Sequence, residues 1–163
     1  MLAARALSVR EVRERLARRG YGRDEIESAV ASLISQGYLD DTTLAYNVAA
    51  SRAQQRFGKI RVTALLGRRG VAPEIVTEAV HRVFADLDED ELAREAAEEA
   101  ARRQSGPRDH RWTARIGRSL LRRGFSRGAV TTALRRMGSF GGGRPGADPS
   151  GSEDDEPDFE TDS

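Results

Sequence analysis

The sequence predicts an all-α protein: three tandem three-helix repeats forming an elongated curved array, followed by a disordered acidic C-terminal tail. Three observations carry that expectation. Apolar residues recur at spacings of three and four, the helical period rather than the alternation of a strand. The pattern returns three times, around Gly20, Gly70 and Gly124. Composition then changes abruptly at residue 138.

With those glycines in register, the flanks match without a gap. Four residues earlier stand Leu16, Leu66 and Leu120, and eight earlier Val12, Val62 and Ile116. Afterwards come Ile26, Val76 and Val130, then Ala29, Ala79 and Ala133. Val30, Val80 and Leu134 follow, and Leu33, Val83 and Met137 close the set. A glycine between such flanks suits a left-handed helix C-cap, so each copy reads as helix, turn, helix. A linking helix precedes the second and third copies. Asp40-Asp41 leads into Leu44-Ala45, and Asp88-Glu89 into Leu92-Ala93, acids that cap the first amides and complement the helix dipole. In the latter helix, Glu98 with Arg102 and Glu99 with Arg103 are favourable pairs four residues apart. Arg56-Phe57-Gly58 and Ser105-Gly106-Pro107 end the two linkers.

The predicted helices are 2–7, 8–19, 24–36, 41–56, 59–69, 73–84, 89–104, 109–123 and 127–137, the first short and truncated in appearance. They group into repeats of about 1–38, 39–86 and 87–137, so that 1–137 is one repeat domain whose units pack on their neighbours. Residues 138–163 open with Gly-Ser-Phe-Gly-Gly-Gly-Arg-Pro-Gly. They hold too few apolar side chains to offset the entropy of ordering, and disorder is expected there.

Composition agrees with thin helical layers: 38% of residues are hydrophobic and 33% charged. The chain has no cysteine, which excludes a disulfide framework, a thiol nucleophile and a thiolate metal site. No apolar run reaches the roughly 18 residues of a membrane helix, and no secretory core follows Met1. A cytoplasmic protein without membrane contact is expected. The formal charge of +1 is unevenly spread. Residues 138–163 carry eight acids against Arg144, a net −7, which leaves +8 on residues 1–137. A basic body with an acidic tail points to an acidic partner, to nucleic acid, or to a tail that screens the body.

Several short motifs resemble one family. Gly37-Tyr38-Leu39-Asp40-Asp41 with Leu44-Ala45 resembles the G-Y-L-D-D-x-x-F-A signature of the RecX regulatory proteins. Gly58, Arg61-Val62, Leu66 and Arg69-Gly70-Val71 are similar to that family's G-x-x-R-I-x-x-x-L-x-x-K-G-I. Leu120 with Arg123-Gly124-Phe125-Ser126 resembles its closing L-x-x-R-G-F-S. Leu44 replaces a common aromatic, and the acidic tail has no counterpart in the pattern. The resemblance spans about residues 5–137 and implies a cytosolic, non-enzymatic protein. It also implies binding to RecA in the groove of the RecA–DNA filament, with restraint of filament growth, ATP hydrolysis and strand exchange.

The chemistry-bearing feature is the basic pair before each turn glycine: Arg18-Arg19, Arg68-Arg69 and Arg122-Arg123. Cations there offset a helix dipole, yet three recurrences in register would also form a periodic basic stripe. Arginine can grip carboxylate or phosphate with two parallel hydrogen bonds, so the stripe, with Arg61 and Arg115, is the expected partner surface. Arg118, Arg127, Arg135 and Arg136 add charge nearby. Gly20, Gly37, Tyr38, Leu39, Asp40, Asp41, Gly70, Gly124 and Phe125 are expected to be structural. Asp40-Asp41 reads as an N-cap rather than a metal or acid–base site, and the acids at 86–91 as a turn and cap without calcium-loop alternation. His81 and His110 stand alone, and Gly58-Lys59 lacks the spacing of a phosphate loop. Trp112, Tyr21, Tyr38 and Phe125 are expected to pack against helices rather than stack on bases. No catalytic residue, metal or cofactor is expected, and the chain should be a monomer. Two alternatives stay open: non-specific binding to single- or double-stranded DNA, and a scaffold for an unrelated partner.

Overall fold

The computed structural model describes residues 6–138; the expected tail and residues 1–5 lie outside the described residues. Those residues form eight helices and no strand: α1 (Val9–Ala17), α2 (Arg23–Ser35), α3 (Asp41–Gln54), α4 (Lys59–Arg68), α5 (Pro73–Phe84), α6 (Glu89–Arg102), α7 (His110–Arg123) and α8 (Arg127–Gly138). Each end lies within two residues of its expected place. The helix expected at 2–7 is corrected where it can be seen, because Ala6, Leu7 and Ser8 are not helical. Ser8 is instead the extended N-cap of α1, closing a capping box with Glu11. The Ala6 carbonyl is taken by the Arg69 guanidinium at 2.6 Å.

Three apolar clusters hold the helices. The helices α1 and α2 close on Ile26, Val30 and Leu39, with Val9, Val12, Leu16 and Leu33 beside them. The second cluster draws on α3, α4 and α5 around Val62, Leu66, Val76 and Phe84. The third draws on α6, α7 and α8 around Trp112, Ile116, Leu120 and Phe125. Alanines line the buried faces of α3 (Ala45, Ala49, Ala53) and α6 (Ala93, Ala96, Ala97, Ala100). Small side chains let a neighbouring helix approach closely, and α5 and α8 respectively pack most extensively on these faces.

Two junctions join the clusters, and both are built alike. At the first, the N-terminus of α1 meets the C-terminus of α4. Ser8 Oγ donates to the Arg69 carbonyl at 2.5 Å, and the Arg10 side chain covers Gly70. Asp41 Oδ1 accepts the Val9 N–H at 3.0 Å. At the second, the N-terminus of α4 meets the C-terminus of α7. Gly58 N–H donates to the Arg123 carbonyl at 2.8 Å, and Ile60 N–H to the Gly124 carbonyl at 3.3 Å. In the glycine register Ser8 and Gly58 hold the same position, as do Arg69 and Arg123. The helices α7, α4 and α1 therefore run head to tail. Helix N-termini carry spare N–H donors and C-termini spare carbonyls: the second junction pairs them directly, whereas at the first the Ser8 hydroxyl takes the carbonyl and Glu11 and Asp41 take the N–H groups.

The cap of α3 gives a first test. Asp40 Oδ1 accepts the Thr42 and Thr43 N–H groups at 2.9 and 3.1 Å, and Thr43 Oγ1 donates to Oδ2 at 2.6 Å. The hydrogen bonds from Thr43 hold its carboxyl below the usual aspartate range. Asp40→Ala should lower unfolding free energy by about 1 kcal/mol, and Asp40→Asn by much less. A depressed carboxyl pKa contributes stability that is present at neutral pH and lost as pH falls through the folded-state value. Denaturation curves of wild type and Asp40→Ala should accordingly converge in acid, below the ordinary value of 3.8.

Candidate functional site

The glycine turns place the expected arginines. Gly20, Gly70 and Gly124 adopt φ of +89°, +75° and +85°, ending α1, α4 and α7 in left-handed caps. Arg18, Arg68 and Arg122 stand in the last turn or cap of these helices, all exposed. Arg18 Nε reaches back to the Glu14 carbonyl at 3.2 Å. The rises of α4 and α1, at 1.5 Å per residue, space successive turns by about 15 Å along the row. Arg61 and Arg115 are also exposed, Arg115 Nε donating to Gln104 Oε1 at 3.0 Å.

The second member of each pair behaves differently, and the expected stripe is corrected there. Arg69 is only 7% exposed. Its Nε and Nη2 meet Glu11 Oε1 and Oε2 at 3.0 and 2.6 Å, a two-pronged ion pair between α4 and α1. Arg123 is half-buried, with Nη1 3.2 Å from Glu99 Oε2 and its guanidinium carbon 5.9 Å from the centre of the Phe57 ring. The hydrogen bond from Arg123 holds the Glu99 carboxyl below the usual glutamate range, with Arg103 and Arg56 adding to it. The cause is positional. The residue before the turn glycine is where the next helix N-terminus arrives, so at the two inner turns it is covered. Arg19 holds the same register position on α1, where no described helix follows in the row. It is exposed and makes no side-chain ion pair among the described residues.

Four of the five residues of the Gly37–Asp41 signature turn, pack or cap within the fold. Gly37 turns at φ +74°, Leu39 is buried, Asp40 caps α3 and Asp41 holds the Val9 amide. Phe125 is 1% exposed and Trp112 is buried, both in the third cluster. The expected packing fails for Tyr21 and Tyr38, which are 52% and 76% exposed. Among the acids at 86–91, Asp88 caps α6, and Glu89 accepts the N–H and Oγ–H of Ser126 at the start of α8. Glu99 pairs with Arg103 as expected, whereas Glu98 turns to Arg94 rather than Arg102.

Other residues of the junctions carry weaker signals in the sequence. Ser8 and Glu11 carry a signal that was available, serine followed three residues later by glutamate. Arg56, expected only to end the linking helix, does so at φ +59°, a conformation arginine seldom adopts; its pair with Glu95 at 2.9 Å across the second junction had no local signal.

Comparison with known proteins bears on the same units. Residues 1–33 match the family model of the RecX first three-helix domain, and residues 88–134 that of the RecX third three-helix domain. The regulatory protein RecX of Chromohalobacter salexigens is 35% identical over 135 residues, covering 82% of this chain and 86% of the relative. That of Halorhodospira halophila is 33% identical over 134 residues, covering 82% and 81%. That of Trichlorobacter lovleyi is 35% identical over 130 residues, covering 77% and 82%. No helix among the described residues is long and apolar enough to cross a membrane. With its motifs in order, its units in register and relatives matched over most of their length, the chain belongs to the RecX family of regulatory proteins.

Proposed function

We propose that this chain binds the RecA recombinase filament and restrains its extension, ATP hydrolysis and strand exchange during recombinational DNA repair. It acts in the cytoplasm as a monomer, by binding rather than by catalysis. The observation that supports this reading most is the head-to-tail row of α7, α4 and α1. It sets exposed arginines at regular intervals, and a filament groove offers carboxylates and phosphates at regular intervals too. Arg18, Arg19, Arg61, Arg68, Arg115 and Arg122 are the residues assigned to contact. Arg69 and Arg123 are assigned to support the surface from beneath.

The test is RecA with ATP and single-stranded DNA. The chain should lower ATP turnover, and no effect with the chain in excess over RecA would sink the proposal. Arg18→Glu, Arg68→Glu and Arg122→Glu combined should raise the concentration needed by at least about tenfold. Each reversed contact loses roughly a charge-assisted hydrogen bond, and 1.4 kcal/mol is tenfold. Unfolding free energy should change little, since all three side chains are exposed.

Non-specific DNA binding is the second reading, and the exposed arginines favour it as well. It predicts a gel shift of duplex DNA without RecA, indifferent to sequence and falling steeply with salt.

A further inference from the structure

A cavity of about 670 Å³ opens between the C-terminal ends of α6 and α8, beside the start of α7. Ala101 and Met137 give it an apolar floor, and Arg94, Arg102, Arg108 and Arg136 surround it against one carboxylate, Glu98. Arg94 is bound by Glu91 and Glu98, a group with one net negative charge whose Glu91 also feels Arg136, so Arg102, Arg108 and Arg136 leave the rim positive. Arg102 and Arg136 are exposed and make no hydrogen bond or ion pair among the described residues. The Arg108 guanidinium lies over the Trp112 ring, 5.4 Å from its centre. An apolar floor with a rim of net positive charge suits an aromatic side chain flanked by carboxylates.

We propose that this cavity is the docking site of the chain's own acidic tail, residues 153–160. That segment reads Glu-Asp-Asp-Glu-Pro-Asp-Phe-Glu, six carboxylates around one aromatic, Phe159. Phe159 sits on the Ala101–Met137 floor, and the flanking acids meet Arg102, Arg108 and Arg136. Where the described chain ends supports the assignment: Gly138 directly follows Met137 of the floor. Phe159 lies about 20 residues further on, a length that spans roughly 25 Å on the random-chain measure. A tether of that size gives an effective concentration on the order of millimolar, so a weak contact suffices to fill the cavity. The turn arginines of α1 are a poorer target. They lie beyond the full lengths of α7, α4 and α1, on the order of 50 Å away.

The chain has no cysteine, so Thr161→Cys provides a single site for a nitroxide label on the full-length protein. At low salt the label should erase most of the NMR intensity of Ala101 and Met137 while sparing Val30 in the first cluster. In about 0.5 M salt, where the Debye length is near 4 Å, the intensity should return. Arg102→Glu with Arg136→Glu should restore it at low salt, and Phe159→Ser, which leaves every charge in place, should restore part of it. Circular dichroism of each variant verifies that the helices persist. Broadening spread evenly over the arginines of α1, α4 and α7, or none at any salt, would overturn the assignment.

Discussion

Gly58→Ala should cost about 3 kcal/mol of folding stability, near the top of what one added methyl does to a packed interior. Its Cβ would stand 2.1 Å from the Gly124 carbonyl oxygen, 2.4 Å from its carbon and 2.7 Å from the Phe125 nitrogen. All three are backbone atoms of a turn anchored by the buried Phe125 ring, so no flexible side chain can give way. The backbone of Gly58 itself is unstrained, at φ −79°. The penalty therefore measures chiefly the junction between α4 and α7, beside the smaller cost of alanine as the α4 N-cap. Gly20→Ala is the contrast: φ is +89°, but nothing lies within 4 Å of the added Cβ. Only the left-handed penalty remains there, about 1 kcal/mol. Gly124→Ala joins both effects, with φ +85° and the Arg61 nitrogen 2.2 Å away, and should exceed Gly58→Ala. Urea denaturation of the three variants orders them. A Gly58→Ala as mild as Gly20→Ala would mean that the two helix ends do not meet.

That comparison separates what local sequence encodes from what it does not. Helix ends were legible because caps and glycine turns are local: Asp40, Asp88 and Gly20 act within a few residues of themselves. The register of the repeats was legible for the same reason, since Leu16, Leu66 and Leu120 each face their own unit. Junctions were not, because they join residues about 60 positions apart. Arg69 and Arg19 have like sequence neighbours, yet one is buried under α1 and the other stands in solvent. Nothing in a six-residue window distinguishes them. The helix expected over Ala6 and Leu7 fails on the same ground. Its alanines and leucine suit a helix, but the Ala6 carbonyl is claimed by an arginine 63 residues away. A basic pair before a turn glycine thus encodes two roles, and only the stacking order assigns them.

Glu11→Ala should cost about 3 kcal/mol, and the loss should be confined to the first unit. The substitution leaves the buried Arg69 guanidinium bonded to the Ala6 carbonyl alone, and it also removes the Glu11 carboxylate that accepts the Ser8 N–H in the α1 capping box. A charge left in a buried site without its counter-ion is strongly destabilising, whereas removing both charges is far milder. Arg69→Met, which keeps much of the stem and deletes the charge, should cost less than Glu11→Ala. Glu11→Ala with Arg69→Met should recover the part of the loss that comes from the stranded charge, a coupling of roughly 2 kcal/mol in the cycle of these two substitutions, and leave only the lost α1 cap. Arg10 and Glu14 provide the surface reference: that pair is 2.7 Å apart but about half exposed on both sides, and deleting it should cost a few tenths of a kcal/mol. Native-state hydrogen exchange locates the effect. Amides of α1 and α2 should lose protection in Glu11→Ala while those of α6, α7 and α8 keep theirs, because the pair fastens only α1 to α4. The same measurement decides between the two roles an arginine can hold in this fold. If Arg69→Met weakened RecA inhibition with the exchange of α1 unchanged, Arg69 would be a contact residue after all. If inhibition fell only in step with the protection of α1, its part would be to hold Arg18 and Arg19 in line with Arg68.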